Sequence, residues 1–286
     1  MAQYQGDIRC CKKMGVKQII LVFYINIQYY MVMEFNVIAS GSSGNCYFID
    51  SNGHYIFVDA GATLISIKKA LGSKALDNSR QVSLFVTHEH TDHISGILPL
   101  ISCYNPKIYT SKGTSNALLK NGVSPENIFT IDANIAYDFT DFAVMPFNTI
   151  HDAVQPFGFK FDFGSNILSI ATDFGVITDE IYKAIEDSNV LMVESNYEEE
   201  LLKKNKKYPE YLKRRILSKE GHLSNKDAFY LLGELSKRKL KRCFLGHVSE
   251  NNNDYNILEK YADAADNMFD VQASVLKQRK SKLFNI

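Results

Sequence analysis

Short apolar runs and stretches of helical period take turns along this chain. Runs at residues 37–39, 46–50, 55–59, 82–87, 107–110, 142–147, 167–172, 189–194 and 241–246 are rich in Val, Ile, Phe and Tyr and end at polar or glycine-containing turns, the signature of buried strands. Asn52-Gly53 between two of them reads as a hairpin turn. Helical spacing marks residues 63–72, with Gly72 as the stop, then 91–101, 112–121, 178–187, several helices from about 196 to 238, and 254–267. Periodicity predicts a mixed α and β chain with strands and helices in both halves, but does not choose how the layers stack.

Residues 1–32 differ from the rest. The apolar run at 19–25 follows Lys12, Lys13 and Lys17 and is interrupted by Asn26 and Gln28. It is too short for a membrane span, which needs roughly 20 apolar residues, and no cleavage site follows it. Met31 and Met33 stand just before the first convincing strand. The expectation is an N-terminal extension over 1–32, arising from a start placed too far upstream, and one folded domain over 33–286. A membrane anchor is the alternative reading, and no stable membrane association is expected.

At 286 residues with 45% apolar content, the chain can bury a large core. Its formal net charge is zero, so no global basic field announces a polyanionic partner. Lys and Arg are nevertheless concentrated between residues 201 and 245, which suits either phosphate contacts or solvated helix faces. The five cysteines have no regular or zinc-finger spacing. They read as free thiols in a reducing compartment, with Cys46 and Cys103 as small buried hydrophobes, and the expected location is the cytoplasm.

The chemistry is announced by His88-Glu89-His90-Thr91-Asp92-His93, directly after the strand at 82–87. Imidazoles and carboxylates are ligands for borderline divalent metals, and clustering them on one turn serves no packing purpose. The spacing suits two metals better than one. Three more ligand types, His151, Asp173 and His247, each follow an apolar run, where a layered sheet protein gathers its functional loops.

In this order the residues resemble the metallo-β-lactamase superfamily over roughly residues 33–286. The resemblance implies a four-layer αββα sandwich. It implies one metal on His88, His90 and His151, a second on Asp92, His93 and His247, and Asp173 bridging both. Asp59, at the end of the strand at 55–59, would orient a ligand. The implied cofactors are two divalent ions, Zn²⁺ or Mn²⁺. The iron oxidoreductase branch carries Glu where this chain has His90, which disfavours redox chemistry.

Two metals sharing a water would make a hydroxide nucleophile near neutral pH, a machinery that serves amides, thioesters, lactones and phosphodiesters alike. Gly221-His222-Leu223-Ser224-Asn225 resembles the corresponding segment of phosphodiesterases such as ribonuclease Z, which implies that His222 is a general acid acting with Asp92. Together with residues 39–45, 194–196, 212–216 and 247–252, it is similar to the YycJ/WalJ group of bacterial metallo-hydrolases. That resemblance implies a 5′→3′ exonuclease on double-stranded DNA, with DNA ends as partner. Glu194 would tune His222 or cap a strand end. Ser42, Asn45, Asn196, Arg214, Arg215, Ser224 and Asn225 are the expected substrate contacts. The Ser/Gly loop at 40–45 either presents N–H groups to an anion or is simply a tight turn. Hydrolysis of a small thioester or lactone of the glyoxalase II kind, and ribonuclease Z-like RNA processing, are the alternatives. The oligomeric state is left open.

Overall fold

The structure is a computed structural model that describes residues 33–51, 53–76, 79–278 and 280–286. The N-terminal extension, the suggested start at Met31 and Asn52 of the expected hairpin turn lie outside the described residues. Met33–Ile286 forms one compact unit. Within the described residues no helix is long and apolar enough to cross a membrane.

The apolar runs pair into two sheets of seven strands. The first holds β1 (Glu34–Ala39), β2 (Cys46–Ser51), β3 (His54–Val58), β4 (Gln81–Phe85), β5 (Lys107–Thr110), β6 (Ile128–Thr130) and β14 (Lys282–Asn285), in the order β14-β1-β2-β3-β4-β5-β6. The second holds β7 (Tyr137–Asp138), β8 (Ala143–Asn148), β9 (Phe157–Asp162), β10 (Ile167–Ala171), β11 (Val190–Glu194), β12 (Arg242–Gly246) and β13 (Gln272–Val275), in chain order from edge to edge. Each sheet is antiparallel on one side and parallel on the other; β3 to β6 and β10 to β13 run parallel. Parallel strands are covered on both faces, which explains why β3 and β11 are buried along their whole length.

Side chains of β3 show how the layers form. Ile56 and Val58 face the opposite sheet, whereas Tyr55 and Phe57 pack under helices. The inter-sheet core is largely phenylalanine. Phe85 meets Phe159 and Phe161 edge-on at centroid distances of 5.5 and 5.2 Å, and burying each ring contributes about 1.5–3 kcal/mol. Helices α1 (Leu64–Leu71), α2 (Thr91–Ile94), α3 (Ile97–Tyr104) and α4 (Lys112–Lys120) follow strands of the first sheet, and Ile67, Ile97, Leu100 and Leu118 cover its outer face. Helices α5 (Asp179–Ile185), α8 (Asn225–Ser236) and α9 (Tyr255–Phe269) cover the second sheet. Two short helices, α6 (Glu199–Lys204) and α7 (Glu210–Ile216), form a small cluster with Tyr197. The layers run helix, sheet, sheet, helix, as the family resemblance implied.

Two expectations need correction. The helix over 91–101 is broken into α2 and α3 at Ser95-Gly96. Gly96 donates its N–H to the Ala60 carbonyl at 2.6 Å, and a Cβ there would lie 2.2 Å from the Ala62 carbonyl oxygen. The chain stops spiralling to dock on the loop after β3. The terminal strands β13 and β14 were not foreseen, because Lys282-Leu283-Phe284-Asn285 has no strand pattern of its own. Its order comes from pairing with β1 and from Phe284 against Phe244 at 4.3 Å.

Candidate metal centre

The expected ligands sit on loops and on the short helix α2, which carries Asp92 and His93, at one end of the sandwich. Asp59 directly follows β3, Asp173 lies two residues after β10 and His247 directly follows β12. All three take left-handed backbone angles, with φ of 57°, 60° and 50°. A non-glycine residue pays about 1–3 kcal/mol for this, and such conformations cluster at functional sites. The turn swings each side chain off its strand axis and toward the neighbouring loops. The 88–93 segment is knitted to these loops by its backbone: Ala60 N–H donates to the His93 carbonyl at 2.8 Å and Asn45 N–H to the Asp92 carbonyl at 2.7 Å. Gly61 lies against the same carbonyl, where a Cβ would come within 1.6 Å.

Hydrogen bonds fix which nitrogen His93, His88 and His151 offer. His93 Nδ1 donates to Asp59 Oδ2 at 2.7 Å, and Thr87 holds Asp59 through its N–H at 2.8 Å and its hydroxyl at 2.9 Å. The Thr87 oxygen also accepts from His88 Nδ1 at 3.0 Å. His151 Nδ1 donates to the Glu220 carbonyl at 2.8 Å. In each case Nε2 is left pointing into the cluster. Asp59 is fully buried and is placed to orient His93.

Four sets of ligand atoms converge within 4.8 Å: His88, His90 and His151; Asp92, His93 and His247; His88, His93 and Asp173; and Asp173, His222 and His247. The first two are the triads that the family resemblance implied, and Asp173 faces members of both. Three atoms of these sets, His88 Nε2, His247 Nε2 and Asp173 Oδ2, are buried without a hydrogen-bond partner among the described residues. Asp173 Oδ2 comes within 3.3 Å of His93 Nε2 but is not aligned for a hydrogen bond. Orphaned polar atoms in a buried site are costly. A cation resolves all three, so the donor set fits divalent metal.

Electrostatics agree. Burial, reinforced by the neighbouring His93, pulls His88 well below the ordinary imidazole range, and burial lowers His151. Both are therefore held in the neutral form that coordinates metal. Burial opposes protonation of His93 and His247 as well, but adjacent carboxylates outweigh it: Asp59 and Asp173 raise His93 well above its usual value, and Asp173 with Asp92 pushes His247 up to about 10. Asp92 and Asp173 are held below the usual carboxylate range, because their imidazole partners overcome the burial that would raise them. Cation binding would replace the protons on His93 and His247.

The β-lactamase superfamily domain matches residues 54–247, a span that contains every ligand above. The chain belongs to the metallo-β-lactamase superfamily. It is 34% identical over 226 residues to exodeoxyribonuclease YycJ of Bacillus anthracis, covering 78% of this chain and 85% of that protein. It is 30% identical over 226 residues to exodeoxyribonuclease WalJ of Streptococcus pneumoniae, covering 77% and 83%. Among solved structures, the metallo-β-lactamase fold protein YhfI of Bacillus subtilis superposes with a TM-score of 0.67 at 17% identity, over 88% of this chain and all of the other. This metallo-β-lactamase-fold chain is therefore an enzyme of a hydrolase family, and the fold implies divalent metal binding.

At the edge of the superfamily's metal centre, His222 Nδ1 donates to Glu194 Oε2 at 2.9 Å and lies 3.7 Å from Asp173 Oδ1. Glu194 is fully buried, also accepts from Phe174 N–H at 2.7 Å, and lies 3.5 Å from His247 Nδ1. Burial works to raise it, but the facing His222 wins and lowers it.

The expected substrate contacts divide differently. Asn45, Asn196, Ser224 and Asn225 are buried and build the site instead of lining it. Asn45 reaches His93 Nε2 at 3.0 Å. Asn196 donates to the His247 carbonyl at 2.8 Å. Ser224 caps α8 by accepting Asp227 N–H at 3.0 Å, and Asn225 ties Ser195, Glu198 and Asn253 together. In the Ser/Gly loop the N–H groups of Gly41, Gly44 and Asn45 are committed to protein acceptors, which makes it a support for Asp92. Ser42 and Arg214 are exposed. Arg215 is also exposed but is not free: its Nε donates to Asp152 Oδ2 at 2.6 Å.

Sequence reading passed over Asp152, Thr87 and Glu89. Asp152 Oδ1 lies 3.2 Å from His151 Nε2 and 3.8 Å from His90 Nε2, linking Arg215 to the metal centre. Its only signal in the sequence is its place beside His151. Glu89 accepts from Val154 N–H at 2.8 Å and from the Thr114 hydroxyl at 3.3 Å, pinning the loop that carries His151.

Proposed function

We propose that this enzyme is a two-metal phosphodiesterase that degrades DNA from its ends, an exodeoxyribonuclease of 5′→3′ polarity on duplex substrates. His88, His90 and His151 would hold one cation, Asp92, His93 and His247 the other, with Asp173 shared between them. Such ions activate water and neutralise charge that develops on the attacked phosphate. The single observation that carries the phosphodiester reading is His222. It is part-buried at the rim of the ligand set with Nδ1 tied to a buried carboxylate.

Phosphodiester cleavage expels an alkoxide-like oxygen that needs a proton. Glu194 holds the His222 Nδ1–H, which leaves Nε2 as the ring nitrogen that would hand a proton to the leaving oxygen. A positioned acid of this kind contributes roughly 10²–10⁴-fold in rate. Thioester hydrolysis, which expels a stable thiolate, needs no such group. The names of the YycJ and WalJ relatives support DNA as the polymer. Free thiols at Cys46, Cys103 and Cys243 suit a reducing, cytoplasmic setting.

Metal analysis coupled to turnover of end-labelled DNA and RNA tests this reading. Wild-type protein is expected to hold two divalent ions and to shorten a 5′-phosphorylated duplex. His222→Ala is expected to keep its metal and lose about 10²–10⁴-fold in rate. Equal rates for the two proteins would remove His222 from the chemistry. Turnover of S-lactoylglutathione without any attack on DNA would replace the nuclease by a thioesterase.

A further inference from the structure

Of the three consecutive cations in α7, Lys213 and Arg215 are already engaged. Lys213 Nζ donates to the Lys203 carbonyl at 2.9 Å and pairs with Glu210 at 3.1 Å, which neutralises the one acid of the helix. Arg214 and Arg215 remain exposed. Asp152 offsets the charge of Arg215 and anchors it at the edge of the metal centre, while Arg214 has no ion-pair partner among the described residues.

Tyr211 precedes Arg214 by three residues and Arg215 by four, so the three share one helix face. Tyr211 is 70% exposed. The helix points its C-terminal end at the site: Gly221, next to His222, packs so closely on the Arg215 and Ile216 carbonyls that a Cβ would lie 2.4 and 2.1 Å from them. Moving outward, the order is metal centre, Asp152, Arg215, Tyr211, with about 6 Å of helix axis between the last two.

We propose that this face of α7 receives the nucleic-acid strand end, with Arg215 on the backbone phosphate beside the scissile one and Tyr211 stacked on an unpaired base beyond it. The proposal rests on the nuclease reading and adds to it a preference for frayed or overhanging ends. An exposed aromatic ring one helical turn from a fixed guanidinium matches the alternation of base and phosphate along a single strand, and both contacts are indifferent to sequence. A base held in a duplex stack offers no free face to Tyr211 without the cost of unstacking.

The test uses the full metal-loaded chain, titrated against duplexes protected by phosphorothioate linkages, with a blunt end or a short unpaired end that carries 2-aminopurine. Wild type is expected to bind the unpaired end more tightly and to quench the reporter. Tyr211→Ala is expected to bind that end ~5–100-fold more weakly, from the usual worth of one base-stacking contact, with the quench lost. Tyr211→Phe retains both. In the metal-loaded enzyme, Tyr211→Ala should raise KM for the unpaired end and leave kcat unchanged. If Tyr211→Ala binds and quenches like wild type while wild type still degrades DNA, the stacking role is wrong and the nuclease reading stands. If wild type neither binds nor degrades DNA, both fall.

Discussion

Asp59 touches no open side of the metal centre, yet it sets how His93 faces it and, through Thr87, how His88 does. A carboxylate in this position raises ligand basicity and fixes the tautomer, and its loss typically weakens metal binding about 10–100-fold. Asp59→Ala is therefore expected to lose metal to a competing chelator at correspondingly lower chelator concentration, and unchanged affinity would show that Thr87 alone suffices. The clustering of the candidate ligands was legible because histidines and aspartates at strand ends have few structural uses. Thr87 was not, since a threonine ending a strand is ordinary and its role exists only once three loops meet. Motif order marks the amide and hydroxyl residues at 45, 196, 224 and 225 as members of the site without saying that they are buried.

At the level of elements, strand and helix boundaries followed the apolar pattern wherever an element could bury one face by itself, as at Lys107–Thr110, which was located to the residue. Failures came where tertiary contact overrides local preference. Gly96 splits a helix to let two loops close, and β14 is ordered only by its neighbour. The same close approach makes Gly61 a sensitive point, with the Asp92 carbonyl 1.6 Å from where a Cβ would stand. Gly61→Ala must push the 88–93 loop outward, so it is expected to lower both the thermal midpoint and the metal content. A variant with full metal content and unchanged melting would show that this loop has slack, contrary to its hydrogen bonding.

Over the whole molecule, charge sums to zero, so the proposed nucleic-acid binding would have to be local. Few phosphates are then contacted, and the dependence of affinity on salt should be shallow, falling by about one in log–log slope when Arg214 is changed to Ala. Affinity measured across a salt series checks this, and an unaltered slope would place the polymer elsewhere on the surface. The αββα layering was legible only through family likeness, because alternation of strands and helices fits several stackings. The triads His88–His90–His151 and Asp92–His93–His247 both draw on the two halves of the sandwich, residues 88–93 from the first and His151 or His247 from the second. An ion held there acts as a rivet across the seam, joining halves whose chain connection is the single crossing between β6 and β7 together with the return of β14. Chelation would then loosen the sandwich at its catalytic end as well as silence it, and a chain nicked between β6 and β7 would stay assembled for as long as the rivet is in place.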